Sequence, residues 1–269
     1  MSKLTSLKEA AHLIQDGDTI STGGSLLHRN PSSLLREIIR QGRKNLTLIK
    51  HSPGYDADIL CASQSLEKTL CGIVTFESEF GLAPNYRKSI EKGLVGLTEH
   101  AWPSILAGLR AAAYGVPFQP IKGFKGSDIP ERSNFSTFND PYTHETLFAI
   151  PALKPDWTLL HVAKCDENGN AWILGNPHFD VEMSRAAENG VILTSEEIVS
   201  SSEIETDPEN TSIPGFLVKA VVKSPGGAKP CSSYPYYDFE PEEIKRYMDA
   251  SKTEDGLKNY LESMDSISN

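Results

Sequence analysis

The first stretch that could act on a ligand is residues 20–31, ISTGGSLLHRNP, between a strand pattern and a helix pattern. Gly23 and Gly24 lack Cβ atoms, so backbone can approach a ligand closely there and adopt positive φ. Backbone N–H groups before the next helix, with Arg29 beside them, suit a phosphate or a carboxylate. On the pattern alone, a tight strand-to-helix turn is the more economical interpretation.

The second stretch is residues 74–85, VTFESEFGLAPN, again between a strand and a helix. Glu77 and Glu79 lie at strand spacing, which predicts that both side chains point to one face of a strand-end loop. Loops at the carboxyl ends of parallel strands are where α/β proteins bind ligands. Paired carboxylates there can activate water or hold a proton. Two solvated loop charges are the simpler alternative.

The third stretch is residues 224–231, SPGGAKPC, followed by SSYPYYD. The backbone of Gly226 and Gly227 could lie against a ligand, with aromatic faces for an adenine, although such segments are more often ordered surface loops. His161 lies in an apolar strand and is predicted to be a hydrogen-bonded core histidine. We read the acidic residues of HFDVE, residues 178–182, as helix N-terminal charges. No metal-ligand spacing and no GxSxG motif occurs.

Alternating helix and strand signals predict an open, largely parallel α/β sheet flanked by helices, in one domain over residues 1–269. Asn30 is expected to cap a helix that has Pro31 at its first position. An Asn-Gly pair in residues 167–170 predicts a hairpin. The predicted strands are 19–22, 46–49, 68–74, 156–164, 171–174, 191–193 and 216–223. The predicted helices are 7–15, 31–41, 85–92, 104–114, 180–188 and a broken helical tail over 241–264. Residues 117–151, rich in Gly, Pro, Ser and Asn, are predicted to form a long loop.

Composition narrows the class of protein. The 269 residues carry a formal net charge of −10, which argues against a nucleic-acid or polybasic membrane surface. The N-terminal residues lack the apolar stretch of a signal peptide, and no run is long enough to span a membrane. The four cysteines form no CxxC pair and are expected to be reduced and mostly buried. We therefore expect a cytoplasmic protein.

Over some two hundred residues, the order of these segments resembles the A-type chain of family I CoA-transferases of the glutaconate CoA-transferase type. No single motif is decisive, but their succession is. The matching segments are SLKEAAHLIQDGDTISTGG (6–24), RNP (29–31), GLAPNYR (81–87), AAAYGVPF (111–118), NGNA (168–171), the stretch from AA (186–187) through TSEEI (194–198), and the stretch from IPG (213–215) through SPGGA (224–228).

The resemblance implies covalent catalysis on a partner chain. A glutamate attacks an acyl-CoA thioester, a glutamyl-CoA thioester forms, and an incoming carboxylic acid takes the CoA. In the two-subunit enzymes this glutamate belongs to a Glu-Asn-Gly motif of the B-type chain. The resemblance thus implies a B-type partner, CoA as substrate with no permanently bound cofactor, and a catalytic group outside this chain. It makes Gly23, Gly24, Arg29, Asn30, Gly226 and Gly227 the substrate-binding candidates, with Glu77 and Glu79 as in-chain catalytic candidates.

The chain has its own Glu188-Asn189-Gly190, which we do not read as the nucleophile motif. It follows a predicted helix, where Asn and Gly act as stop residues before a buried strand. The family's nucleophile lies on an exposed loop of the other chain.

Two departures from the family pattern keep alternatives open. The Gly-Gly loop continues with Ser25-Leu26-Leu27 where many relatives have Phe, and residues 77–79 are more acidic than in typical A-type transferase chains. Some relatives of this fold are CoA-ester hydrolases that open cyclic ketones, so Glu77 or Glu79 positioning water is an alternative. A non-catalytic module that senses acyl-CoA or another ligand is a third, disfavoured because no helix-turn-helix segment is attached.

Overall fold

The computed structural model describes residues 2–264, which form an α/β structure around a nine-stranded, mostly parallel sheet. The strands are β1 Thr19–Thr22, β2 Leu46–Lys50, β3 Leu66–Cys71, β4 Gly96–Glu99, β5 Phe118–Ile121, β6 Ser136–Asn139, β7 Thr146–Pro151, β8 Trp157–Asp166, β9 Ala171–Trp172, β10 Gly190–Val199, β11 Thr211–Ile213 and β12 Val218–Lys223. The predicted fold class is therefore confirmed.

Helices cover the sheet and connect its parallel strands. They are α1 Leu7–His12, α2 Ser32–Arg40, α3 Tyr55–Ala62, α4 Glu77–Phe80, α5 Pro84–Glu91, α6 Trp102–Ala113, α7 Ile129–Arg132, α8 Asp180–Ala186, α9 Ser201–Thr206, α10 Pro241–Ala250 and α11 Glu254–Met264. Within the part of the chain that the structure describes, no helix is long and apolar enough to cross a membrane.

The order of the parallel strands reverses at the centre of the sheet. From β1 the chain moves outward through β2, β3 and β4, and it then returns to β8 on the other side of β1. From β8 it continues outward through β10 and β12, all parallel. A reversal of this kind opens a crevice at the carboxyl ends of the two central strands, which is where open α/β sheets bind ligands.

Local sequence signals explain several element boundaries. Ser6 and Glu9 form a capping box, because the Ser6 side chain accepts from the Glu9 amide while the Glu9 carboxylate accepts from the Ser6 amide. The Asn-Gly hairpin is confirmed: β8 and β9 pair antiparallel across residues 167–170. The helical tail predicted over residues 241–264 consists of α10 and α11.

Several elements were missing from the sequence expectation, among them α3 and β4. Helix α3 is buried along residues 55–61 and therefore lacks the one-sided apolar stripe that marks a surface helix. Strand β4 is short and partly exposed. Its sequence, GLTE, has few apolar residues, so it gives no clear strand signal.

The prediction that residues 117–151 form a loop is wrong. Strands β5, β6 and β7 form a separate three-stranded antiparallel sheet in the order β5-β7-β6. Pro120 in β5 and the turn residues between strands weaken the sequence signal, yet Ile150 is fully buried and Phe135 nearly so. This sheet packs on α6, where Gly108 lies against Leu153.

The main hydrophobic core contains residues from the N-terminal helices and from the C-terminal helices α10 and α11. Apolar residues of α2 and α3 pack with Ile244 and Tyr247 of α10, which are fully buried. The rings of Tyr55 and Tyr247 lie 5.4 Å apart. The C-terminal helices are therefore part of the core that supports the central strands.

Candidate functional site

The Gly-Gly turn after β1 lies in the crevice at the centre of the sheet and packs tightly on itself. Gly24 has φ +71°, and a Cβ there would lie 1.9 Å from the carbonyl oxygen of His28. A Cβ on Gly23 would lie 2.5 Å from Leu160 Cδ2. Gly24 N donates to Asp180 Oδ1 at 3.0 Å. The chain therefore needs glycine at position 24 to close this turn, whereas a side chain at position 23 would have to displace Leu160.

Arg29 ties this turn to the segment before α8. Its guanidinium donates to Asp180 Oδ2 at 2.7 Å and to the Asn176 carbonyl at 2.7 Å, and its side chain is 6% exposed. Asp180, which the sequence analysis assigned only to a helix N-terminus, is fully buried and balances the charge of Arg29. The contact between Arg29 and substrate stays a prediction. An anion bound there would meet an arginine whose charge is already paired with Asp180.

Asn30 does not cap α2, contrary to the sequence prediction. The helix begins at Ser32, with Pro31 at the N-cap position and no side-chain cap. The fully buried Asn30 side chain instead donates to the Leu26 carbonyl and accepts from Lys50 Nζ at 2.7 Å. It therefore fixes the inner side of the turn.

A buried ion pair that sequence reasoning missed lies beneath the turn. Lys50 Nζ lies 2.6 Å from Asp56 Oδ2, and both side chains have no exposed surface. The same ammonium donates to Asn30 Oδ1 and the Gly23 carbonyl, which completes its three donors. Asp56 also accepts from the amides of Gly54 and Ala57. The signal for this ion pair in the sequence was the lysine that ends the otherwise largely apolar strand LTLIK, residues 46–50.

Aromatic rings fill the neighbouring strand ends. The ring of His51 lies 4.4 Å from that of Phe179, 5.1 Å from Trp102 and 5.6 Å from His178. Both His51 nitrogens lack a hydrogen-bond partner among the described residues. Burial, with the charge of Lys50 beside it, lowers the pKa of His51 to about 3, so this imidazole is neutral near pH 7.

The structure separates the two glutamates that the sequence placed on one face. They lie in the short helix α4 rather than at strand spacing, so that prediction is wrong. Glu79 is exposed. Glu77 has φ +60° and points inward, where its Oε1 lies 3.5 Å from His28 Nε2.

The glycines of the third segment also serve internal contacts. Gly226 N donates to Glu196 Oε2 at 2.8 Å, and the carbonyl of Gly227 accepts from Ser33 N. A Cβ on Gly227 would lie 2.8 Å from His161 Cε1. Glu196 also accepts from buried His161, which confirms that His161 is hydrogen-bonded in the core. Although burial alone would raise the pKa of Glu196, the hydrogen bonds it accepts hold that pKa below its usual range.

Two adjoining cavities open between the first and third segments. One of about 230 Å³ is lined by His28, Arg29, Leu174, Gly175, Asn176, His178, Ser232 and Tyr234. The other, of about 510 Å³, is lined by His28, Ser232, Tyr234, Pro235, Tyr237 and Asp238. His28, Ser232 and Tyr234 line both cavities. The sequence analysis did not single out His28 or Ser232, whereas Tyr234 belongs to the aromatic run that it offered as a ligand surface. Within residues 2–264, no cluster of three or more His, Cys, Asp and Glu side chains could hold a metal ion.

Glu188 lies outside this site. It follows the end of α8, half exposed, and pairs with Lys154 at 3.2 Å. This position is consistent with reading Glu188-Asn189-Gly190 as a helix stop.

Known protein families and curated proteins include sequences that are similar to this chain. The coenzyme A transferase family matches residues 4–224. An uncharacterized protein of Archaeoglobus fulgidus is 37% identical over 97% of the chain, but the chain spans only 58% of that protein's length. The A-type chain of glutaconate CoA-transferase from Acidaminococcus fermentans is 30% identical over 95% of the chain and 85% of its own length. The IpdA chain of the cholesterol ring-cleaving hydrolase of Mycobacterium tuberculosis is 29% identical over 96% of the chain and 91% of its own length.

Solved structures agree with the sequence relatives. The chain superposes on glutaconate coenzyme A-transferase from A. fermentans with a TM-score of 0.92, at 29% identity over 97% of this chain and 88% of that one. It also superposes on a variant of the decarboxylase AibA/AibB with a TM-score of 0.90 and 30% identity, covering 99% and 100% of the two chains.

Proposed function

The chain belongs to the coenzyme A transferase family, as an A-type subunit of family I, and from this premise we propose that it works in a heteromeric CoA-transferase. The complex moves CoA between an acyl-CoA and a carboxylic acid. The observation that carries the proposal is the likeness to glutaconate CoA-transferase over nearly the whole chain, in sequence and in fold.

The catalytic carboxylate is proposed to come from a B-type partner. Within this chain, Glu188 is paired at the surface away from the crevice. A partner glutamate would attack the thioester and carry CoA as a glutamyl thioester, with CoA as substrate and no permanent cofactor.

In this proposal the six substrate-binding candidates play different parts. Gly23, Gly24 and Asn30 shape the floor of the crevice, whereas Arg29 lines the smaller cavity. Gly226 and Gly227 hold the segment that brings Ser232 and Tyr234 to the cavity walls.

The domain organisation and the compartment also belong to the proposal. Residues 1–269 act as a single domain that resides in the cytoplasm. The four cysteines, all buried and without disulfides, are compatible with a reducing compartment.

The test is reconstitution with a B-type chain that carries a Glu-Asn-Gly loop. The purified chain alone is expected to transfer no CoA, and addition of the partner should restore turnover. Borohydride or hydroxylamine with acyl-CoA should inactivate the complex and mark the partner's glutamate. Robust transfer by the isolated chain, or a mark on Glu188, would contradict the proposal.

The second candidate function is hydrolysis of a CoA ester by the same complex. It is favoured by Glu77, whose inward carboxylate lies beside the imidazole of His28, where it could position water. A relative bears the name of a ring-cleaving hydrolase. Turnover with free acid as product and no marked glutamate would establish this candidate instead. Ligand binding without any turnover would favour a sensing module.

A further inference from the structure

Three side chains from separate segments lie next to one another beside the two cavities, with His28 between Ser232 and Glu77. Ser232 Oγ lies 2.6 Å from His28 Nδ1, and His28 Nε2 lies 3.5 Å from Glu77 Oε1. We propose that this chain carries a serine acyl-hydrolase site of its own, acting on small esters or thioesters. Ser232 is the nucleophile, His28 is the general base, and Glu77 is the positioning residue.

The backbone holds the serine and the histidine in register. Arg29 N donates to the Ser232 carbonyl at 2.7 Å, and Ser232 N donates to the Leu27 carbonyl at 2.9 Å. These two bonds form a short parallel bridge around His28. A nucleophile and base held by main-chain bonds keep their geometry without help from a ligand.

Glu77 has hydrogen-bonding capacity that other described residues do not use. Its Oε1 is buried and accepts no hydrogen bond within residues 2–264, although His28 Nε2 lies 3.5 Å away. The backbone of Glu77 is held at φ +60°, a conformation that a non-glycine residue adopts at a cost. In the proposed mechanism the negative charge of Glu77 attracts the hydrogen on His28 Nε2, and the Nδ1 lone pair accepts the Ser232 proton.

The surroundings leave room for a substrate. The His28 side chain is 47% exposed, whereas Ser232 is only 6% exposed and lines both cavities. An acyl group fits a cavity of about 230 Å³, and a larger leaving group fits the adjoining one of about 510 Å³.

The reaction divides into two balanced steps. Ser232 Oγ bonds to the carbonyl carbon while its proton passes to His28 Nδ1. The carbon–sulfur or carbon–oxygen bond then breaks, and the leaving thiol or alcohol takes that proton. Water next attacks the acyl-serine, His28 again accepts a proton, and that proton returns to Ser232 as the acid leaves.

This site does not rest on the proposed transfer reaction, because all three residues belong to this chain. The rival arrangement is direct activation of water by His28 and Glu77, without an acyl-serine. A nucleophile-directed label separates the two, since only the serine mechanism requires a reactive Ser232.

The experiment treats the full chain, without partner, with a fluorophosphonate probe and follows hydrolysis of p-nitrophenyl butyrate. We expect one adduct per chain, on Ser232, and its loss in Ser232→Ala. Hydrolysis by Ser232→Ala should fall at least about 100-fold, and His28→Asn should slow labelling to a similar degree. Ser233→Ala is the matched control, because Ser233 is the adjacent serine and is also buried. It should label and hydrolyse at the wild-type rate.

The role of Glu77 has its own readout. Glu77→Gln is expected to lower kcat about 10-fold with KM unchanged, and Glu77→Asp should recover part of the loss. Glu205→Gln, at an exposed position of α9, should match wild type. Circular dichroism verifies that each variant is folded. The proposal is overturned by the absence of an adduct, by an adduct elsewhere, or by wild-type hydrolysis in folded Ser232→Ala, the last pointing to direct water activation.

Discussion

At the scale of single residues, the backbone that lines the crevice has little conformational freedom. Gly24 occupies a position that only glycine fits, since its φ is positive and a carbonyl oxygen fills the space of a Cβ. Lys50 and Asp56 have no exposed surface, and their charged groups lie 2.6 Å apart. Such pairs are costly to break because the remaining charge stays buried and uncompensated.

Gly24→Val is predicted to unfold or strongly destabilise the protein. The sequence alone suggests that a branched side chain would block a ligand and spare folding, but the Cβ would lie 1.9 Å from the carbonyl oxygen of His28. We expect a loss of at least about 3 kcal/mol in the free energy of unfolding. Urea denaturation measures it. The control is Gly96→Ala, whose Cβ would meet its nearest atom at 3.6 Å; equal stability of the two variants would contradict the prediction.

Glu188→Ala is predicted to be nearly silent. The side chain is about half exposed and contacts Lys154 in a surface ion pair, which contributes at most about 0.5 kcal/mol. Steady-state kinetics of the assembled complex and thermal unfolding should both match wild type. A large loss of turnover with folding intact would assign Glu188 a catalytic part.

At the scale of elements, a buried carboxyl group joins three helices that stand far apart in the sequence. Asp58 of α3 accepts from Asn85 Nδ2 and Tyr86 N of α5 and from the Tyr247 hydroxyl of α10. Burial raises the pKa of Asp58 from 3.8 to about 6, against the opposing effect of these hydrogen bonds. The contact between the C-terminal helices and the rest of the molecule therefore depends on pH.

The sign of this dependence follows from proton binding. Between about pH 4 and about pH 6 the folded chain holds the Asp58 proton more tightly than the unfolded chain. The contribution of Asp58 to stability is therefore full below this range and is lost as the pH rises through it. Asp58→Asn removes the titration, so the stability of the variant relative to wild type should increase from pH 4 to pH 6.

Denaturation at several pH values across that range measures the difference. Asp140→Asn provides the opposite case, because hydrogen bonds from Tyr142 and Thr143 lower the pKa of the partly exposed Asp140. Relative to wild type, that variant should lose stability, or stay level, as the pH rises. A parallel course of the two variants would contradict the assignment to Asp58.

At the scale of the whole molecule, the region matched by the family ends before the core does. The family match stops at residue 224, yet α10 supplies fully buried Ile244 and Tyr247 to the core beneath the central strands. The ring of Tyr260 in α11 packs 5.0 Å from that of Tyr247. The crevice therefore depends on residues far from it in sequence.

A chain ending at Glu240 is predicted not to fold. Losing two fully buried side chains of this size costs at least about 5 kcal/mol, comparable with the whole stability of a typical domain. A chain ending at Thr253 keeps α10 and loses the packing of α11, so it should fold with a lowered unfolding temperature. Near-UV circular dichroism and thermal unfolding compare the two. A cooperative transition at the wild-type temperature in the shorter chain would refute the prediction.

The sequence by itself determined the fold class and the family. The alternation of apolar strands with capped helices is a local property, so β1, β2, the β8–β9 hairpin and the C-terminal helices were predicted near their observed positions. The order of short motifs along the chain was enough to indicate the coenzyme A transferase family, which the match over residues 4–224 confirms. Helix α3 was not predicted from the sequence, because a helix that is buried on all sides has no one-sided apolar stripe.

Only the tertiary structure decided which groups face the crevice. Asp180 has the sequence position of an ordinary helix N-terminal charge, and folding places it 2.7 Å from Arg29. The same holds for Ser232, which meets His28 although 204 positions separate them. Glu77 and Glu79 are equivalent by spacing, and a single turn of helix gives them opposite surroundings. Contacts between distant segments depend on how whole strands and helices pack against one another, and no short stretch of sequence specifies that packing by itself.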